Sequence, residues 1–298
     1  MPHTKVHFLL WPLFYLVFLQ FAHLELDMLL TNEIKDKIFS AICIFFGFLG
    51  VSFLLFIIAC LIYKGIGGFS LSLFTMPTAF GGLGNAILGQ IILVFMASIL
   101  GLFFGSFAGI YISEYIKNKA LKNAFKCLVE VMLSTPSIIV GVFIYATFVR
   151  FFGSYSGIAG ALALGFIMLC VVAKTYFEAL ESVSVKLKEA SFALGANKMQ
   201  VIMSVMIANV KPALITGVIL GIARIAGESA PLLFTNANND FFSFDIFSSL
   251  PSLSVSIYEF SLSSEENLRN AAWSGAMLLL IMVLGANLIS KIAFMKKQ

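Results

Sequence analysis

Six runs of about twenty apolar residues, at roughly 38–62, 86–112, 128–150, 157–174, 213–235 and 272–293, leave this chain few ways to fold. A run of that length crosses the ~30 Å hydrocarbon core of a bilayer as a helix. A helix satisfies its own backbone N–H and C=O groups there, whereas an open sheet edge does not. The chain is 60% hydrophobic and 11% charged, with a mean hydropathy of +1.00. A soluble domain is nearer half apolar and a quarter charged, so the membrane class follows from composition as well. The expected fold is all-α: a polytopic transmembrane bundle of six core helices, with no length left over for a large soluble domain. Pro136 lies inside the third run and Pro231 near the end of the fifth, so both helices are expected to kink or break there.

The basic residues orient these spans. Lys35 and Lys37, then Lys117, Lys119, Lys122 and Lys126, then Lys174, Lys186, Lys188, Lys198 and Lys211, and finally Lys291, Lys296 and Lys297 fall on alternate connections. Lys64, Arg150 and Arg269 fall on the opposite set. The positive-inside rule therefore places both ends of the six-helix core, and the 186–212 loop, in the cytoplasm. The 236–271 loop, with Asp240, Asp245, Glu259, Glu265 and Glu266, is expected outside. Gly101, Gly105 and Gly109 on the second run, and Gly217 and Gly221 on the fifth, have the four-residue spacing that lets helix backbones approach closely.

Several functions are excluded. No GxxxxGK[ST] phosphate loop occurs, so the chain does not itself cradle a nucleotide in that way. All three histidines, His3, His7 and His23, precede residue 24, which removes histidine acid–base chemistry from the membrane domain. Cys43, Cys60, Cys127 and Cys170 have no CxxC spacing and read as buried thiols rather than a metal or disulfide framework. The net charge of +4 is too small to argue for nucleic acid. Residues 1–32 are expected to be an N-terminal extension. The run from Phe8 to Phe21 is short for a span and lacks a clear cleavage site, so an upstream start, an extra helix and a signal sequence all stay open. Residues 33–298 then form the transmembrane domain, with a polar loop over 175–212.

That loop is the most informative polar segment. Lys186–Leu194 has helical spacing, with Leu187, Ala190 and Leu194 on one face, and Gly195 turns the chain. Met199, Ile202, Val205 and Met206 then recur at helical spacing. Two short helices at an angle suit insertion into a groove on a soluble partner, and an amphipathic loop lying on lipid is the alternative.

Arg224 and Glu228 are the other conspicuous pair. Arg224 lies about eleven residues into the fifth run, roughly 16 Å deep at 1.5 Å per residue, near the bilayer midplane. An ionisable residue at that depth is costly and points to function. Glu228, four residues on, is expected on the same helix face and within reach of Arg224. Either the pair steadies a helix about to break at Gly227 and Pro231, or Arg224 is a switchable cation on a substrate path. A guanidinium donates two parallel hydrogen bonds to an oxyanion. Glu228 would then hold the cation when no anion is present.

Glu189-Ala190-Ser191, three residues, Gly195, nine residues, then Val205-Met206-Ile207-Ala208 resembles the Glu-Ala-Ala loop of ABC importer permeases. It departs from that pattern at Ser191, Val205, Ile207 and Ala208, the last replacing a proline. The stretch from Ala223 to Thr235, ARIAGESAPLLFT, resembles the phosphate importer permeases of the PstA type. Thr135–Phe143, Leu250-Pro251 with Ile257-Tyr258, and Ala271–Ala276 agree with it, so the resemblance covers roughly residues 33–294. It implies the type I importer permease fold in an inner membrane and a substrate path for inorganic phosphate at Arg224 and Glu228. It implies, too, coupling through Glu189, Ala190, Ser191 and Gly195, with Pro136, Gly227 and Pro231 as gating breaks. The implied partners are a homologous permease chain forming a heterodimer, a dimer of ATP-binding subunits that would hold ATP and magnesium, and an extracytoplasmic phosphate-binding protein. This chain would carry no cofactor and no enzymatic activity of its own. Sulfate or molybdate as substrate, and a membrane scaffold reporting phosphate status, remain as alternatives.

Overall fold

The computed structural model describes residues 32–295, and the expectations for residues 1–27 lie outside the described residues. Every regular element among the described residues is helical. The described residues divide between Cys60 and Leu61 into two compact units. The first contains most of α1 (Asn32–Ile66), whose apolar side chains, from Phe39 through Phe56, are largely exposed. At ~1.5 Å per residue such a helix outreaches the hydrocarbon core.

The second unit begins with the last turn of α1 and the short α2 (Leu71–Thr75), followed by α3 (Gly84–Tyr115). After α4 (Lys119–Ser134) and α5 (Ser137–Phe152) comes α6 (Gly157–Glu181). The chain continues through α7 (Val185–Ala193), α8 (Lys198–Ala226), α9 (Ala230–Thr235), α10 (Leu253–Ser261) and α11 (Glu266–Met295).

α6 is the hub. In its most apolar window 72% of residues are buried, against 28% for α3, so α6 faces protein and α3 also faces lipid. Leu164, Met168 and Val172 are fully buried and form the main core with Leu93, Ala97, Ile225, Leu232 and Leu250. The expected glycine rows are the seams. A Cβ on Gly101 would lie 2.6 Å from Cβ of Met168, and one on Gly105 would lie 2.8 Å from Cβ of Val172. Gly109 abuts Tyr176, and on α8 Gly217 abuts Thr175. The absent side chains let α3 and α8 settle onto α6, as van der Waals packing in lipid requires.

Two spans are interrupted, each at a proline. α4 and α5 meet at 98°. Pro136 caps α5 and pushes Thr135 into extended backbone (φ −68, ψ 131), the conformation favoured before a proline. α8 stops at Ala226 and α9 restarts at Ala230 with Pro231 in its first turn. A continuous helix would drive the Pro231 ring into the carbonyl of residue 227. Gly227 itself has φ −98, which any residue adopts, so the proline accounts for the break and the glycine does not.

The fifth span differs from its expected bounds. Its helix begins at Lys198 rather than near 213, so the second half of the polar loop is the first turns of the span. Pro212 sits inside this helix, and a π-helical stretch, Val201–Met206, precedes it. Beyond α9 the chain folds back over the opposite end of the bundle. Asn236 bonds both N and O of Leu250 (2.9 and 2.6 Å), and Gly157 N and Ile158 N donate to Ser248 and Ile246. α10, with Leu253, Ser254, Val255 and Ser256 buried, is thereby held in the bundle.

Candidate functional site

The two proline breaks come together. α5 packs on α9, where a Cβ on Gly141 would lie 2.6 Å from Cα of Pro231. Beside that crossing lies a small crevice lined by Thr135, Ser137, Cys170, Phe166, Ile167 and Arg224 among others. Cys170 is near the middle of α6, so the Arg224 head reaches the middle of the bundle. A helical side chain points back toward its own N-terminus, which explains why the head sits below the break.

Arg224 is two residues from the end of α8 rather than eleven residues into a span, and it is exposed. The structure corrects the expected pairing with Glu228. The helix ends between them, and among the described residues no hydrogen bond or ion pair joins the Arg224 guanidinium to any group. Four-residue spacing places two side chains on one face only while the helix continues. The crevice, about 10 Å³, holds roughly one water. A larger anion would meet Arg224 from its exposed side.

The freed backbone at the break is satisfied by buried polar groups. Gln90, 2% exposed on α3, donates from Nε2 to the Ala226 carbonyl (3.1 Å) and accepts from Ser252 Oγ (2.9 Å). Ser254 Oγ donates to the Glu228 carbonyl (2.9 Å). Helix interruption at membrane depth is tolerated where neighbouring protein supplies such partners. A larger cleft of about 320 Å³ between α3, α8 and α11 is lined by Val94, Phe95, Ile222 and Met282, with Gln90 and Ser98 as its polar members. That lining suits an anion poorly.

The polar loop forms a hairpin of α7 and the start of α8 about Gly195, whose φ of +85 is the left-handed region that glycine adopts without strain. Asn197 caps α8 through a reciprocal bond with Gln200. Glu189 and Ala190 are exposed, and Ser191 Oγ donates to the Leu187 carbonyl (2.8 Å). Leu194 is 90% exposed, with Phe192 and Met199 beside it also exposed. The hairpin therefore presents an apolar tip.

The chain matches the family model described as "Binding-protein-dependent transport system inner membrane component" over residues 101–294, which include the hairpin and both breaks. This chain belongs to that family. It is a multi-pass inner membrane permease, a transport component and not itself catalytic.

Among relatives, the permease is 38% identical over 254 residues to the phosphate transport system permease protein PstA of Yersinia pestis, covering 84% of this chain and 86% of that one. It is 38% identical to the PstA protein of Pasteurella multocida, covering 90% and 97%. It is 34% identical to the probable PstA protein of Methanocaldococcus jannaschii, covering 84% and 90%. Its fold is similar to an inward-facing MetNI methionine ABC transporter chain, with a TM-score of 0.59 at 20% identity, covering 71% of the permease and 94% of that chain. An amino acid ABC transporter gives 0.55 at 18% identity, covering 72% and 93%.

Three parts of this region take a setting that the sequence alone leaves open. Thr135 and Ser137 join Arg224 only because α4 and α5 fold back at 98°. Gln90 carries no motif, and its signal was a lone amide in an apolar run. Glu114, in the last turn of α3, reads from sequence alone as a helix-boundary carboxylate. It instead accepts from Lys188 Nζ of α7 (2.7 Å) and from Ser113 Oγ (3.0 Å).

Proposed function

We propose that this permease is one half of the membrane pathway of an ATP-driven importer of inorganic phosphate. The carrying observation is the joining of an arginine that lines the mid-bundle crevice with two helix breaks in a chain 38% identical to named phosphate permeases. Arg224 supplies a planar, always-charged donor fork suited to tetrahedral oxyanions. α5 begins at Ser137 without a side-chain cap, and Ser137 lines the same crevice, so the positive dipole end of α5 lies beside it. Half-helix N-termini at mid-membrane are a recurring means of holding anions in transporters.

The exposed side of Arg224 is completed by a homologous permease chain, and the pathway runs between the two. A separate pair of ATP-binding subunits holds ATP and magnesium and receives the hairpin through Glu189, Ala190, Ser191 and Gly195. An extracytoplasmic binding protein delivers phosphate at the acidic face of residues 236–271. The hairpin and the core's termini face the cytoplasm, in keeping with the alternating lysines. Pro136 and Pro231 mark where the path opens and closes, with Gly227 riding in the second break. Glu228 lies near the path without holding Arg224.

Uptake of labelled phosphate into cells or vesicles, with excess sulfate or molybdate as competitor, tests the substrate. Phosphate alone should compete. Arg224→Lys should retain the charge but lose most uptake, because an ammonium lacks the planar fork, and Arg224→Ala should lose nearly all. Normal uptake by Arg224→Ala at normal expression overturns the assignment of this residue, and stronger competition by sulfate or molybdate overturns the substrate.

A further inference from the structure

α8 is the covalent route from the hairpin to Arg224, yet it is poorly built to carry a push. Pro212 removes a hydrogen bond inside it, and the π-helical stretch Val201–Met206 lies just before. Both are places where helices bend. α3 runs antiparallel beside it without a proline and is tied to both of its ends. At the hairpin end, Lys198 Nζ donates to the Glu114 carbonyl (2.7 Å) and lies over the Tyr115 ring at 3.9 Å. There too, the largely buried carboxylate of Glu114 holds Lys188 of α7 at 2.7 Å, so both arms of the hairpin are fastened to one turn of α3. At the far end, Gln90 donates to the carbonyl of Ala226, two residues past Arg224. The ties are 24 residues apart on α3, roughly 36 Å along a helix axis. Between them the glycine row locks α3 to α6.

We propose that α3 is a brace on α8, with Glu114 and Gln90 as positioning residues at its two ends, and that it makes displacement of the hairpin arrive at Arg224 instead of being absorbed as a bend at Pro212. Glu114 touches neither substrate nor nucleotide. It acts by keeping α7, α8 and α3 in register. This rests on the reading of the chain as an ATP-driven permease.

The test uses the assembled transporter in proteoliposomes and measures both ATP hydrolysis and phosphate uptake. Glu114→Gln should leave ATP hydrolysis within about twofold of wild type and lower uptake per ATP about tenfold, within the usual span of coupling effects. Gln90→Ala should show the same signature. Glu114→Lys should uncouple further, and the charge-reversed pair Glu114→Lys with Lys188→Glu should recover most of the loss, which a folding defect would not do. Pro212→Ala, by stiffening α8, should make Glu114→Gln less harmful. An unchanged uptake-to-ATP ratio in Glu114→Gln, or a reversed pair no better than Glu114→Lys alone, overturns the brace. A wild-type assembly that moves no phosphate overturns the function proposed above and leaves the brace to hydrogen exchange. In that readout Glu114→Gln should speed exchange both in 185–193 and in 223–227, and a change confined to 185–193 overturns it.

Discussion

Replacing Gly105 by alanine isolates the energy of the α3–α6 seam. A Cβ there would meet Cβ of Val172 and the Leu169 carbonyl, each at 2.8 Å. Ordinary contact begins near 3.4 Å, so the helices must part by about 3.4 − 2.8 = 0.6 Å. Alanine also gains about 1 kcal/mol of helix propensity over glycine, which would mask the cost. Gly50 on α1 supplies the correction, because it is helical and a Cβ there meets nothing within 4 Å. The propensity gain is common to both substitutions and cancels in their difference. What remains is overpacking, about 1–3 kcal/mol. On the scale of a 150–250-residue domain, where 1 kcal/mol shifts Tm by about 2–4 °C, Gly105→Ala should melt roughly 2–12 °C below Gly50→Ala. The assay is the loss of the monodisperse fraction of the detergent-purified chain on a temperature series. Gly101→Ala, with a contact of 2.6 Å to Met168, should fall at least as far. Equal melting of the Gly50 and Gly105 variants would refute the view that this seam is set by backbone approach.

Other substitutions address the breaks and the hairpin. Pro231→Ala removes the ring that forbids a helix through 227–231, so α8 and α9 should tend to join; phosphate uptake should fall while Tm stays within a few degrees of wild type. Gly195→Ala forces a Cβ into φ +85 at a cost of about 1–2 kcal/mol, and uptake should fall more than for Gly195→Asn, since asparagine tolerates the left-handed region. Glu181→Gln breaks bridges to Lys122 (2.8 Å) and Lys126, but the carboxylate is 31% exposed, so Tm should change by no more than about 1 kcal/mol allows.

The spans were legible because hydrocarbon imposes a length and a composition on every crossing. The seams were legible because glycine at four-residue spacing has one main use there. The glycines of α3 and α8 meet Met168, Val172, Tyr176 and Thr175 as that use requires. Local punctuation was legible only in part. Pro136 and Pro231 both mark breaks, but Gly227 turned out conformationally ordinary, and Pro212 sits inside α8 without ending it. A proline states that one hydrogen bond is missing. Whether the helix then breaks depends on what else can satisfy the freed groups, and at 226–230 those groups are Gln90 and Ser254, brought from elsewhere in the chain.

Arg224 shows where single-chain periodicity stops being informative. Its presence in an apolar run was enough to mark it, because a charge there must have a reason. Its partner could not be read from spacing, since the i, i+4 rule presumes a helix that the same segment interrupts. Its actual surroundings are Thr135 and Ser137, nearly ninety residues earlier, delivered by a 98° bend whose direction no local pattern encodes. Glu114 is the same case at the other end of the bundle. Seventy-four residues separate it from Lys188, and only the fold makes them one ion pair. The residues that carry the family resemblance are contiguous motifs, whereas those proposed above to join the hairpin to Arg224 are single polar side chains on α3, each unremarkable in its own neighbourhood. An importer must move a signal across the membrane without leaking through it. Polar groups spaced one at a time along an apolar helix meet both demands, and for that reason they leave no motif behind.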